Sequence, residues 1–227
     1  MNSRRAESFS DGVFAVAITV LVFNLLPIAD KTAGTAGSVT LTARHLAHYW
    51  AAYVAYVVSF LTIGIMWLNH HTMLSQVTKV NRSVLILNLL LLMGIVAIPF
   101  PTALVADHLT GADGGNGQAK VAAVTYGLVM IAIAVSFGAT WVYLAAHQRE
   151  LGSRHAVHMP RLSTFRFTVG NAGYVAGTVV ALVSPVAALI IFGLLAVYYL
   201  FDHLPSAATD DDDDPEDPPG PGATARS

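Results

Sequence analysis

The sequence has no cysteine in its 227 residues. That excludes a disulfide framework, a thiolate metal site and a cysteine nucleophile. It is also poor in charge: 11% of residues are Asp, Glu, Lys or Arg, against roughly 25% in a soluble globular chain. Long runs carry no charge at all, which excludes an ordinary soluble enzyme of this length. No glycine-rich phosphate cradle, nucleophile elbow or paired intramembrane carboxylates appear, so no enzymatic activity is expected. What the chain has instead is 55% hydrophobic residues and a mean hydropathy of +0.59. The net charge of -2 conceals an uneven distribution, because seven of the 14 acids lie between Asp210 and Asp217. Without residues 210–227 there are 11 Lys and Arg against 7 acids. This is the composition of an all-α polytopic membrane protein.

A helix crosses the hydrocarbon layer with about 20 mostly apolar residues, and its backbone polar groups must all be paired internally. Six stretches meet or approach that length: Phe9–Pro27, Tyr49–Leu68, Val84–Ala106, Val121–Ala146, Phe167–Val183 and Val186–Phe201. The last two are divided only by Ser184-Pro185, where proline forces a turn or a kink. One long bent helix is the competing reading, but Phe167–Phe201 is far too long for a single crossing.

With the N-terminus inside, the inner segments hold Arg4, Arg5, Lys79, Arg82, Arg149, Arg154, Arg161 and Arg166, and the outer ones only Lys31, Arg44 and Lys120. Eight against three follows the positive-inside rule and predicts a multi-pass protein of the cell membrane with both termini cytoplasmic. The expected organisation is a six-helix membrane domain over residues 1–204 and an acidic, Pro/Gly-rich cytoplasmic tail over 205–227. The tail is too polar to build a core and is expected to be disordered. The run Gly111–Gly117 reads as a flexible outer connection.

Some signals lead nowhere. Arg4-Arg5 before an apolar run imitates a secretion signal, but Glu7, Asp11 and Pro27 and the lack of a convincing cleavage site favour a retained helix. Thr168-Val169-Gly170 matches the start of a TVGYG selectivity loop, yet Asn171-Ala172 follows and the triplet opens a span. The acidic run lacks EF-hand spacing. The pairs His70-His71 and His155/His158 have no further ligand at suitable spacing, so no metal and no cofactor are expected. Gly173 and Gly177 form a small-xxx-small element that predicts close helix packing, within a subunit or between subunits.

The first helix is more informative. An ionisable group within a span is a functional-site hypothesis by default, and Asp11 is the one acid in the first span. Arg5, six residues earlier, is near enough to the interface to snorkel. Trp67, Asn69, His70 and His71 end the second span at the same depth. At about 100° per residue, Val16, Val20 and Phe23 share a stripe that Phe9, Gly12 and Val13 extend. Thr19 flanks it, and Asp11 falls roughly opposite with Ala15, Ile18 and Val22. Apolar stripes are ordinary packing surfaces in membrane helices. If this one faces a symmetry axis, Asp11 turns into the protein as an anchor.

Arg5-x-x-x-Phe9-Ser10-Asp11, followed by Gly-Val-Phe-Ala-Val-Ala-Ile-Thr, resembles the RxxxFSD first helix of the transmembrane protein 175 family, the prokaryotic relatives of the endolysosomal potassium channel. Trp67-Leu-Asn-His70-His71 and Ile98-Pro99-Phe100-Pro101 extend the resemblance, which covers residues 4 to about 203. It implies a potassium-permeable channel without a TVGYG filter, with six helices per subunit, a homotetrameric assembly and potassium as permeant ion. The first helix would line the pore. The family's hydrophobic constriction would fall at Val16, with Val20 and Phe23 as further pore positions and Thr19 as the threonine implicated in selectivity. Arg5, Phe9, Ser10 and Asp11 would form the motif's structural network with Trp67 and His70 or His71. The chain departs from the family in having Val16 and Val20 where isoleucine or leucine is usual, and a bulkier Phe23 further out. The constriction is expected at Val16 or Phe23. The rival readings are a proton-coupled transporter using Asp11 and the histidines as a relay, and a metal enzyme built on His70 and His71.

Overall fold

The computed structural model describes residues 3–28, 39–109, 117–152 and 161–202. The acidic tail, residues 111–116 of the outer connection, and His155 and His158 lie outside the described residues.

Helix α1 (Ser3–Val20) continues through a 3₁₀ turn at Leu21–Leu25 to Ile28. A short helix α2 (Val39–His48) precedes α3 (Trp50–Ser75). The next rod is α4 (Arg82–Ala97) followed by α5 (Pro99–Leu109), then α6 (Gly117–Ala146). Helices α7 (Arg161–Ala181) and α8 (Pro185–Asp202) complete the order. Among the described residues four stretches are long and apolar enough to cross a membrane: Ser3–Ile28, Trp50–Ser75, Arg82–His108 and Gly117–Ala146. They coincide with the first four predicted spans and extend beyond several of them, because helix continues past the apolar run into polar residues.

The predicted fifth and sixth spans are separate helices, which overturns the bent-helix alternative. The chain leaves α7 through bonds from Leu182 N to Val179 O and from Ser184 N to Val180 O, and the Ser184 hydroxyl then caps Ala187 N at 3.3 Å. Pro185 opens α8, where its missing N–H costs nothing. The two helices approach closely at glycines. A Cβ on Gly177 would lie 2.5 Å from Phe192 Cε1, and one on Gly173 2.7 Å from Leu195 Cδ2. The small-xxx-small element therefore packs within the chain.

The core is shared by all the long helices. Phe14, Ala17 and Leu21 of α1 meet Ile63 and Met66 of α3, Leu91 and Ile95 of α4, Tyr126 and Met130 of α6, and Phe192 of α8. Smaller clusters close the two ends: Ala6, Met73, Val77, Val84 and Leu144 near the start of α1, and Ile28, Ala52 and Ala106 at the other. The exterior is just as apolar, with Met93, Phe100, Val121, Val135, Val179 and Leu194 all exposed. Hydroxyls turn back into their own helices, as Thr62 does to Val58 O at 2.7 Å, Thr125 to Val121 O at 2.7 Å and Thr140 to Ser136 O at 2.8 Å. Both features suit lipid as solvent, where an unpaired polar group has no water to turn to.

The base, where α1 begins, is a collar of backbone bonds. Ser3 N donates to Thr78 O at 3.2 Å, and Thr78 N and Lys79 N both donate to Leu151 O. Asn81 caps α4 through Val84 N at 3.0 Å and donates to the Tyr143 hydroxyl at 2.9 Å. Gly152 closes the collar at φ +62, a conformation that needs no Cβ.

Candidate functional site on the first helix

Two arcs divide α1. The buried arc is Ser3, Ala6, Ser10, Phe14 and Ala17, continued by Leu21. Its spacing of three and four residues is that of one helix face. The opposite arc is fully presented: Phe9 is 56% exposed, Val16 57%, Phe23 59% and Leu26 56%, with Gly12 and Thr19 exposed between them. Arg5 heads the same line at the base. Apart from Arg5 the line contains no ionisable group.

This corrects the wheel in detail. Val13 and Val20 are half-buried flanks rather than stripe centre, while Thr19 belongs to the stripe and Leu26 extends it. Asp11 is half-buried at the edge of the packed arc, and Ala15 and Val22, which the wheel groups with it, are exposed. A wheel gives relative angles only; which arc packs is decided by how Ser10 and Ala17 admit neighbouring helices on either side of Phe14.

Polar side chains hold the buried arc in place. The Trp67 indole N–H donates to Asp11 Oδ1 at 2.8 Å. Glu7 Oε1 meets His71 Nδ1 at 2.7 Å. Deeper, the Ser10 hydroxyl donates to Ala6 O at 2.8 Å and accepts from Asn88 Nδ2 at 3.0 Å. Asn88 Oδ1 therefore faces His70 Nε2, at 2.7 Å, and this chain of roles makes Nε2 the protonated nitrogen, since an amide oxygen can only accept. The His70 ring lies between Phe14, with centroids 5.4 Å apart, and Phe137 at 6.5 Å. Its Nδ1 has no hydrogen-bond partner among the described residues.

The structure thus brings Asp11 to Trp67, Ser10 to His70 through Asn88, and His71 to the motif helix through Glu7. Arg5 and Phe9 join none of these contacts. Asn88 and Glu7 were missed from sequence. Asn88 was visible as the single amide in a leucine-rich run, and Glu7 as an acid one turn before Asp11. The metal-enzyme reading loses its geometry, because His70 and His71 engage different partners and no group of three or more His, Asp or Glu among the described residues is arranged to hold a metal ion.

At the other end of the helix, Thr19 donates to Val16 O at 2.9 Å and Asn24 Nδ2 donates to Pro99 O at 3.0 Å. Behind them Ser59, Thr102 and Tyr126 form a buried hydroxyl cluster, with Ser59 2.8 Å from Thr102 and 3.2 Å from Tyr126.

Residues 5–99 match the family model described as the endosomal/lysosomal potassium channel TMEM175. The chain is 42% identical to a potassium channel of Streptomyces collinus over 204 residues, covering 89% of this chain and 94% of that one. It is 34% identical to a potassium channel of Chamaesiphon minutus, covering 86% and 92%. The endosomal/lysosomal proton channel TMEM175 of Gallus gallus is 28% identical over 73% of this chain, and the match spans 34% of that longer protein. Among solved structures, the crystal structure of a lysosomal potassium-selective channel TMEM175 homolog from Chamaesiphon minutus superposes with a TM-score of 0.72 at 30% identity, covering 88% of this chain and 97% of that one.

Proposed function

The chain belongs to the TMEM175 family, a family of ion channels rather than enzymes, and from that premise we propose that it forms a potassium-permeable pore lined by the exposed arc of α1. The observation that carries this reading is the continuous, almost charge-free line Phe9, Gly12, Val16, Thr19, Phe23 and Leu26, held outward by polar ties on the helix's other side. Four copies around an axis would place these side chains in stacked rings. Both termini would lie in the cytoplasm, and six helices of each subunit would cross the cell membrane. The acidic tail would hang on the cytoplasmic side.

Conduction in this account is passive. Apolar rings at Val16 and Phe23 close the path by dewetting, and a small dilation admits water and ions. Potassium holds its hydration shell less tightly than sodium, so a neck that strips water penalises sodium more. Thr19 cannot offer its hydroxyl proton to the pore while it bonds Val16 O, but the oxygen's lone pairs remain for a passing cation. Asp11 is tied by Trp67 and acts as an anchor of the helix rather than a ring of ion ligands.

The test is the reversal potential of purified protein in a planar bilayer, with potassium on one side and sodium on the other. A strong shift towards the potassium equilibrium value is expected, and a reversal near zero would refute selectivity. The eukaryotic relatives named proton channels make proton permeation the second reading, which a pH gradient at symmetrical potassium would expose as a shifted reversal.

A further inference from the structure

We propose that the acidic run Asp210–Asp217 is an internal ligand of this chain: it docks on the basic collar at the end of the bundle where α1 begins. The docking stands apart from the pore reading, and only its effect on current depends on it.

The collar gathers cations from three separate parts of the sequence. Ser3 N bonds Thr78 O, and Thr78 N and Lys79 N both bond Leu151 O. These bonds bring together the segments that carry Arg5, Lys79, Arg82 and Arg149. All four side chains are exposed, and none has a hydrogen-bond or ion-pair partner among the described residues. Arg4 adds a fifth exposed cation. The acids on the same segments are two: Glu7, which meets His71 at 2.7 Å, and Glu150. Five cations against two acids leave this end of the molecule positive.

The acidic run has the opposite sign and enters at the same end. Cβ atoms built on Gly173 and Gly177 would meet Leu195 and Phe192, so α8 runs antiparallel to α7. One on Gly127, early in α6, would meet Thr178, late in α7. Helix α7 is therefore antiparallel to α6, which ends at the collar, and α8 finishes at Asp202 on the collar side. The 25 residues that follow hold seven acids, all between Asp210 and Asp217, and Arg226 as their one Lys or Arg.

Reach decides whether the two can meet. Helix α8 approaches α3 at Gly193 and Val58, and α3 meets α1 at Trp67 and Asp11. Two interhelical steps of 8–10 Å place α1 about 20 Å from α8. Nine residues beyond the Gly193–Val58 contact, Asp202 is level with Trp67, and Arg5 lies about 9 Å further along the axis than Asp11. An extended chain covers at most about 3.3–3.6 Å per residue. The eight residues from Asp202 to Asp210 therefore span up to about 28 Å, which exceeds the separation of about 22 Å that those two displacements give. Tethering holds the run at an effective concentration of about millimolar. Pairs that are each weak on an exposed surface then add up across seven acids. In the proposed pore, the docked run offsets the positive charge that Arg5 brings to the mouth.

The absence of cysteine makes the test direct. Ser83→Cys, at an exposed position next to Arg82, and Ala208→Cys are introduced together into the full chain and spin-labelled. The product is diluted with unlabelled protein in discs of mixed phosphatidylcholine and phosphatidylglycerol and measured by pulsed electron-electron resonance. At about 10 mM salt, where the Debye length is about 30 Å, a short and narrow distance distribution is expected. At about 1 M, where that length is about 3 Å, a long and broad one should replace it. Lys79→Gln, Arg82→Gln and Arg149→Gln together, or replacement of the seven acids by their amides, should each give the broad distribution already at low salt. A distribution that stays narrow through salt and both sets of changes overturns the proposal. So does one that responds to the acids but not to the collar, which places the run elsewhere. A distribution broad at every salt concentration assigns the collar to the phosphatidylglycerol headgroups and overturns it too. This readout needs no current, so its failure is distinct from failure of the channel reading.

Discussion

Asp11 and Trp67, 56 positions apart in sequence, are joined by an indole N–H to carboxylate bond of 2.8 Å. The single acid within the apolar part of α1 is thereby turned towards α3 and away from the exposed arc. The bond sets the rotation of α1 at the same level as Ser10 and Asn88, which is why the apolar line is free to face elsewhere.

Removing the donor with Trp67→Phe leaves the Asp11 carboxylate short of a partner. Hydrogen bonds to charged groups contribute about 1.5–3 kcal/mol, and the half-exposed setting here puts the expected loss near the lower end. Thermal unfolding in detergent should show destabilisation by Trp67→Phe that nearly vanishes in an Asp11→Ala background, which has no acceptor for the indole N–H. Full additivity of the two substitutions would contradict the coupling.

The buried chain through Asn88 predicts an order of damage. Asn88→Ala strands the His70 Nε2–H, while Ser10 keeps its bond to Ala6 O, and should cost more than Ser10→Ala, by about 1–3 kcal/mol for the unpaired imidazole donor. Chemical or thermal denaturation of the two variants gives the comparison, and equal stabilities would remove Asn88 from the centre of the network.

Gly12 and Gly177 make a contrasting pair. A Cβ at Gly12 meets nothing within 4 Å, whereas one at Gly177 meets Phe192. Gly12→Ala should leave folding intact or slightly improved while lowering conductance, because the methyl enters the proposed pore. Gly177→Val should destabilise the α7–α8 hairpin by about 1–3 kcal/mol through overpacking. Paired melting curves and bilayer currents check both, and unaltered current in Gly12→Ala would count against the pore arc.

Arg5 stands at the base of the exposed line, so four copies of the proposed pore would place positive charge at the mouth where α1 begins. Arg5→Gln is expected to raise cation conductance severalfold at low ionic strength and little at high salt, as screening requires. A conductance independent of Arg5 at low salt would place its side chain away from the ion path.

Much of this was legible from residues alone. Runs such as Val84–Ala106 and Val121–Ala146 announce membrane helices because lipid leaves the backbone no other solution, and Ser184-Pro185 marks the turn between α7 and α8. The first-helix motif and Trp67 also stood out, since charge and indole are rare at that depth. The pairing of those groups was not legible: Ser10 reaches His70 only through Asn88, a contact fixed by tertiary approach of α1, α3 and α4. The 3₁₀ turn at Leu21–Leu25 had a signal in Pro27, whose missing N–H leaves Phe23 O to Leu26 N, but its extent was not legible. Helix α2 escaped notice because Val39–His48 is too short and too polar to register as a span.

The central claim is that the exposed arc of α1 faces the ion path. Single cysteines at Val16, Thr19 and Phe23, with Ala17→Cys as buried control, can be challenged during bilayer recording with a positively charged methanethiosulfonate. The account predicts rapid, irreversible block of potassium current at the first three positions and none at Ala17→Cys. Current that persists at all three after modification is confirmed by mass spectrometry would contradict it.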